Sequence, residues 1–273
     1  MKYSDYNIFF QFENNTLFVR QNPVILIDII GDIEKEQKIK LLEKHISEIF
    51  YSQFYVNPNL GSFGKKNLLK SLLKNNLHLK NKLIKGFKII SKSKFGQIVI
   101  QKEKTLRIAY PGDYITISDN ECIYYQKKII LNPNDIFCFY IPFTEISSYP
   151  EFLNRLYFNI NPDCLNTILV KILELLHSSV IPFNLKFLTN RKDYWRSDTL
   201  VIYFFKDYSS EVFQLIEENY FDLKDFLRLN IPLFTNELMP GISWAENPPT
   251  SNMSFGQQIS IDFAKQLVKT FKI

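Results

Sequence analysis

Between residues 34 and 55 the apolar positions Ile39, Leu42, Ile46, Ile49, Phe50 and Phe54 recur at the spacing of one helix face, which predicts an amphipathic helix. A second helix is expected over 66–84, where Leu68, Leu69, Leu72, Leu73, Leu77 and Leu83 recur among lysines. After Gly86 the period falls to two. Residues 87–90, 97–101, 105–109 and 114–117 read as short strands broken by Lys-Phe-Gly and Pro-Gly-Asp turns, and 122–131 and 136–141 continue the meander. Further on, the pattern mixes the two periods. Strands are expected over 155–160, 184–188 and 199–205, a helix over 162–179 with Pro162 near its start, and helices over 209–228 and 255–270. The stretch 231–254 holds Pro232, Pro240, Gly241, Pro248 and Pro249 and reads as a long irregular loop, packed through Trp244. The fold class is therefore α+β. A helical N-terminal segment and a small antiparallel sheet (1–150) precede a mixed α/β half (151–273).

Composition narrows this picture without redirecting it. With 46% hydrophobic and 22% charged residues the 273-residue chain has the make-up of a globular protein. No apolar run approaches the roughly 20 residues that span a bilayer, and residues 1–12 are too polar for a secretion signal, so a cytoplasmic protein without a membrane partner is expected. Cys122, Cys138 and Cys164 are odd in number and lack metal-ligand spacing, so neither a disulfide framework nor a metal site is expected. The glycosylation sequons at Asn14 and Asn252 would matter only on a secretory route.

Charge is unevenly placed. Residues 65–104 hold twelve lysines against one acid, Glu103, so of the net +5 this stretch carries +11 and everything else −6. It contains no arginine, which argues against nucleic acid. Nucleic acid is thus the least favoured of three readings; the others are a solvated face and a surface for an acidic peptide or protein partner in which Lys70, Lys74 and Lys85 take part.

Inventory removes several chemistries. No GxGxxG, P-loop, HExxH or GxSxG is present, and His45, His78 and His177 all fall in helix-like settings. What stands out is a cationic and aromatic group in the second half. Arg155 and Tyr157 share a strand face, Lys186 interrupts the apolar run 183–188, and Arg196, Asp198 and Tyr203 flank the next strand. A lysine amid apolar residues is costly unless paired or tuned, or unless its stem is buried while its head reaches water.

The order and spacing of these segments resemble the HopA-type bacterial effector family. Arg155-Leu-Tyr-Phe-Asn-Ile-Asn-Pro, Ile181-Pro-Phe-Asn-Leu-Lys-Phe-Leu, Tyr194-Trp-Arg-Ser-Asp and Leu200-Val-Ile-Tyr carry the likeness, followed by Phe234-Thr235, Gly241, Ala245-Glu-Asn-Pro and Ser254-Phe-Gly-Gln. Phe54-Tyr55, Gly86-Phe87 and residues 108–114 extend it over about residues 45–270. The family includes type III effectors of plant pathogens and stand-alone lyases of class V lanthipeptide and thioviridamide-type pathways. The latter work beside a kinase-like protein and eliminate phosphate from phosphorylated Ser or Thr of a precursor peptide bearing a leader. The resemblance implies such a metal-free, cofactor-free lyase here. Its alternative is a non-catalytic effector or scaffold, secreted into a host cell, that binds a protein partner.

Elimination needs a neutral base for the α-proton, cations for the phosphate, and an acid for the leaving group. Neighbouring positive charge favours the neutral form of an amine, and guanidinium groups hold phosphate bidentately. The resemblance thus assigns Lys186 as base and Arg155, Arg196 and Arg191 as phosphate ligands. Asp198, Tyr203 and Thr235 support them. Two positions depart from the pattern. Tyr157 stands where the related phosphothreonine lyases of enteric pathogens carry a histidine acid, and Gln257-Gln258 follows Gly256 where an arginine is usual, a place that Arg191 or Arg228 would have to fill.

Overall fold

The computed structural model describes residues 9–20, 25–29, 33–56, 68, 82–94, 96–103, 105–109, 113–126, 129–131, 136–142, 150–179, 181–246, 253–271 and 273. The chain divides into two compact units, 1–58 with 250–273, and 59–249.

The first unit begins with strands absent from the sequence expectation: β1 (Phe10–Glu13), β2 (Thr16–Val19) and β3 (Ile25–Asp28) form an antiparallel sheet. Glu13 pairs with Thr16, so Asn14 and Asn15 make a two-residue hairpin loop, both with positive φ (50° and 63°). That geometry matches the twist of the strands, and asparagine tolerates it. Helix α1 (Lys35–Ile49) buries Leu42 and Ile46 and runs into a π-helical turn at Phe50–Tyr55. The predicted face is thus correct, with a wider last turn. Phe50 stacks on Phe263 of the C-terminal helix (Phe255–Val268) at 4.0 Å between centroids, and Phe10 also reaches that ring. Ser254 caps this helix through a reciprocal box with Gln257, which ties down the helix start.

Gly256, in the first turn of that helix, lies flat against the Tyr55 ring, where a Cβ would collide with ring carbons. Tyr55 is almost wholly buried and has no room to withdraw. Gly256→Ala is therefore expected to lower stability by about 1–3 kcal/mol, read as a lower urea midpoint with an unchanged slope.

In the second unit, β4 (Lys82–Lys92), β5 (Ile98–Lys102), β6 (Thr105–Ala109), β7 (Tyr114–Ser118) and β8 (Glu121–Gln126) form an antiparallel sheet in the order β6-β5-β4-β8-β7. Residues 82–84 belong to β4 rather than to the expected helix, because β-branched Ile84, Ile89 and Ile90 and the left-handed Gly86 suit a bulged strand. Apart from Leu68, the rest of that expected helix, with Lys70, Lys74 and His78, lies outside the described residues.

The meander also splits. β9 (Ile129–Leu131) and β10 (Phe137–Tyr140) leave it and join β11 (Leu153–Phe158), β12 (Phe183–Leu188), β13 (Leu200–Phe205), β14 (Asn236–Met239) and β15 (Ile242–Glu246). The resulting seven-stranded antiparallel sheet has the order β14-β15-β11-β13-β12-β10-β9. The proline-rich stretch thus contains a hairpin, turned at Gly241 (φ 81°), whose added Cβ would strike the Arg228 carbonyl.

Helices α2 (Leu165–Ser178) and α3 (Ser209–Glu218) carry apolar faces into one core with Leu156, Phe158, Leu185 and Ile202 of the sheet. The expected single helix over 209–228 is interrupted at Asn219, whose amide bonds back to Leu215, before the short α4 (Tyr220–Leu223) and a 3-10 turn at Lys224–Phe226. His177, in the last turn of α2, hydrogen-bonds the Tyr140 hydroxyl at 2.9 Å and packs edge-on to Phe183, a structural placement.

The cysteines are separate, and burial pushes the Cys138 thiol up to about 12 and raises Cys122 as well. Cys164 is half-buried, raised first by desolvation and then by Asp163. A maleimide in mildly alkaline buffer is expected to label Cys164 first and to leave Cys122 and Cys138 unmodified until the protein is denatured. Mass mapping of labelled peptides checks this.

Candidate functional site

Strand alternation gives the seven-stranded sheet two unlike faces. Odd and even positions of β11 divide so that Leu156 and Phe158 enter the helix-covered core, while Arg155 and Tyr157 face the other way. Register then fixes their neighbours. One row runs Ala245, Arg155, Tyr203, Asn184, and the next runs Ser243, Tyr157, Val201, Lys186, Phe139. Four predicted residues from three strands therefore share one face. Tyr157 and Lys186 lie two strands apart, about 10 Å between backbones, a gap that a phosphorylated side chain and its backbone can bridge.

Lys186 is half-buried, and its Nζ lies 4.3 Å from the centre of the Phe137 ring. Arg196 approaches the same ring, its Cζ at 5.5 Å, so the two cationic heads are at most 9.8 Å apart. An aromatic face attracts both cations, and holds two like charges near each other that water would otherwise separate. Arg196 is buried and paired in bidentate fashion with Asp198, Nε to Oδ1 at 2.7 Å and Nη2 to Oδ2 at 2.8 Å. Arg155, also buried, lies with its Cζ 5.4 Å from the Tyr203 ring. Thr235 donates to the Pro232 carbonyl and lies 2.8 Å from Ser243 Oγ, whose residue is the register partner of Tyr157.

Arg191 stands apart from this group. It grips Asp163 with Nε at 3.1 Å and Nη2 at 2.7 Å, at the turn leading into α2. Lys85 is exposed on β4 in the other sheet.

Two aromatic contributors were not expected from the sequence. Phe137 gathers the two cations, and Trp195 adds a second ring 5.8 Å from Arg196. Arg228 braces the turn from beneath, donating from Nη1 to the Tyr194 carbonyl at 2.7 Å and from Nη2 to the Arg196 carbonyl at 3.4 Å. Burial lowers Arg228 to about 10, which still leaves it charged at neutral pH. Period two around the buried Cys138 was the available signal for Phe137. Arg228 is a candidate phosphate ligand in the sequence reading, and two of its donors reach backbone carbonyls.

Among the described residues no three His, Cys, Asp or Glu side chains gather as metal ligands, and no helix is long and apolar enough to cross a membrane.

Comparison with known proteins gives one family and several solved structures. The model of the HopA1 effector protein family matches residues 133–270. The structure of the effector protein from Pseudomonas syringae pv. tomato strain DC3000 is 14% identical, covers 86% of each chain and has a TM-score of 0.49. That of the effector protein from Pseudomonas syringae pv. syringae strain 61 is also 14% identical, with a TM-score of 0.43, covering 85% of this chain and 88% of its own. No curated protein matches the sequence. The family match takes in half of the chain and all the residues just described on the cationic face, from Phe137 to Ser243, and on that match the chain belongs to the HopA1 effector protein family.

Proposed function

We propose that the protein is a lyase that eliminates phosphate from phosphoserine or phosphothreonine of a ribosomal precursor peptide. The observation that carries this reading is the convergence of Lys186 and Arg196 on Phe137, on the face that also bears Arg155 and Tyr157. The Lys186 amine takes the α-proton, the released electron pair forms the Cα–Cβ double bond, and the Cβ–O bond breaks. Phosphate departs with that bonding pair, held by the guanidinium groups of Arg155 and Arg196 and protonated from Tyr157. The products are inorganic phosphate and dehydroalanine or dehydrobutyrine. A kinase-like partner would supply the phosphorylated peptide, whose leader would contribute affinity away from the reacting residue.

The test is incubation of the full chain with phosphoserine and phosphothreonine peptides, and with a leader-bearing precursor plus its kinase, following free phosphate and peptide mass. Release of phosphate with loss of one phosphoric acid from the peptide is the expected result. An unchanged mass under all these conditions would overturn the reading. It would favour a second one, a non-catalytic effector that binds a protein partner. One observation speaks for that alternative: Asp198 already occupies two donors of Arg196, so part of the charge meant for phosphate is neutralised within the protein.

A further inference from the structure

The five-stranded sheet has one covered face and one bare one. Phe87, Ile98, Ile100, Cys122 and Tyr124 form its core. Register turns their strand neighbours outward: Leu83 sits beside inward Ile84, Leu106 opposite Gln101, and Ile115 opposite Ile123. These three are 53%, 60% and 58% exposed, an unusual cost for side chains of this size on the central strand and the two edge strands of one sheet. Ile90 and Ile117, at two of the three register irregularities, are 53% and 57% exposed.

On this face Lys85 and Lys88 outnumber the one acid, Glu121, that register places beside them. β4, the central strand, carries four lysines and no acid along its length, and Lys85 and Lys88 are exposed at its middle. Lys88 has an acid, Glu121, as its register partner, while Lys102 turns back to the Lys85 carbonyl at 2.9 Å. A positive stripe therefore runs between two apolar flanks.

We propose that this face docks an acidic segment of a partner polypeptide whose carboxylates meet Lys85 and Lys88 while its apolar side chains cover Leu83, Leu106 and Ile115. Such a ligand satisfies both properties at once, since burying the flanks without compensating the lysines would desolvate charge. An anionic membrane is the poorer match. The exposed large apolar residues described on this sheet include no Trp or Phe, and the lysines lie along the middle of the apolar surface, where insertion would carry them towards hydrocarbon. Nothing in this surface depends on elimination chemistry, so failure of one reading leaves the other standing.

The test uses the full chain and two synthetic probes, a labelled peptide rich in glutamate and leucine and its counterpart with lysine in place of glutamate, read by fluorescence anisotropy. The acidic peptide is expected to bind, with affinity falling as salt rises, and the basic one is not. Lys85→Glu with Lys88→Glu should weaken binding about tenfold or more and flatten the salt dependence. Leu106→Ser with Ile115→Ser should weaken it while leaving the salt dependence intact. All four positions are exposed, so the thermal midpoint should hold and serves as the folding control. Equal binding of both peptides, indifference to both variant pairs, or no binding would overturn the proposal. Retention on phosphatidylserine vesicles without peptide binding would overturn it too, and would transfer the face to a membrane role.

Discussion

Lys186→Ala is expected to lower phosphate release by a factor of about 10²–10⁴, the range that a positioned general base contributes. On the proposed reading the loss should fall on kcat, because Arg155 and Arg196 would still hold the phosphate in the ground state. Folding should persist, since the side chain is half-exposed and its ring contact with Phe137 contributes no more than about 1 kcal/mol. Lys186→Arg separates charge from basicity. Arginine keeps the cation over Phe137 but does not give up its proton, so it should fail to restore turnover. Recovery of most activity by arginine would sink the assignment of Lys186 as base and leave it as a phosphate ligand. Single-turnover release of phosphate from a phosphothreonine peptide measures both variants.

Asp198→Ala should destabilise the protein by about 3–5 kcal/mol, because it leaves the buried Arg196 guanidinium without its carboxylate. The double variant Arg196→Met, Asp198→Leu removes both charges and keeps the volume, and should recover most of that stability. Its activity should stay low, since a phosphate ligand has gone. Urea unfolding and phosphate release, measured on the same samples, therefore move apart. If the double variant were as active as the unaltered protein, Arg196 would belong to the framework alone.

Much of the architecture could be read locally. α1, the C-terminal helix and the strands β11, β12 and β13 announce themselves because a repeating apolar face needs only neighbouring residues to be seen. The N-terminal hairpin also carried a signal, Asn14-Asn15 between the alternating runs at 10–13 and 16–19, but its four-residue strands were too short to dominate the pattern. The site was legible in part. Period two puts Arg155 with Tyr157, yet which residues lie across from them depends on long-range register. Lys186 meets Phe137 only because Phe139 of β10 pairs with it, and β10 had been assigned to the wrong sheet. Arg191 and Arg196 looked equivalent in sequence. A 3-10 turn at Arg191–Asp193 sends one to Asp163, and the buried pair with Asp198 keeps the other beside Lys186.

The first unit is built from both ends of the sequence, whereas the second, 59–249, is one uninterrupted stretch. During synthesis the second unit can complete its sheets while the first waits. Phe50 and Phe10 emerge early, but the ring they pack on, Phe263, is added some two hundred residues later, on the order of ten seconds at usual elongation rates. For that interval Phe50 and Phe10 lack the ring that both of them meet, although Phe54 already has Phe9 and Phe10 as neighbours. A ribosome stalled before Gly256 would thus release a finished second unit bearing an unfinished first one.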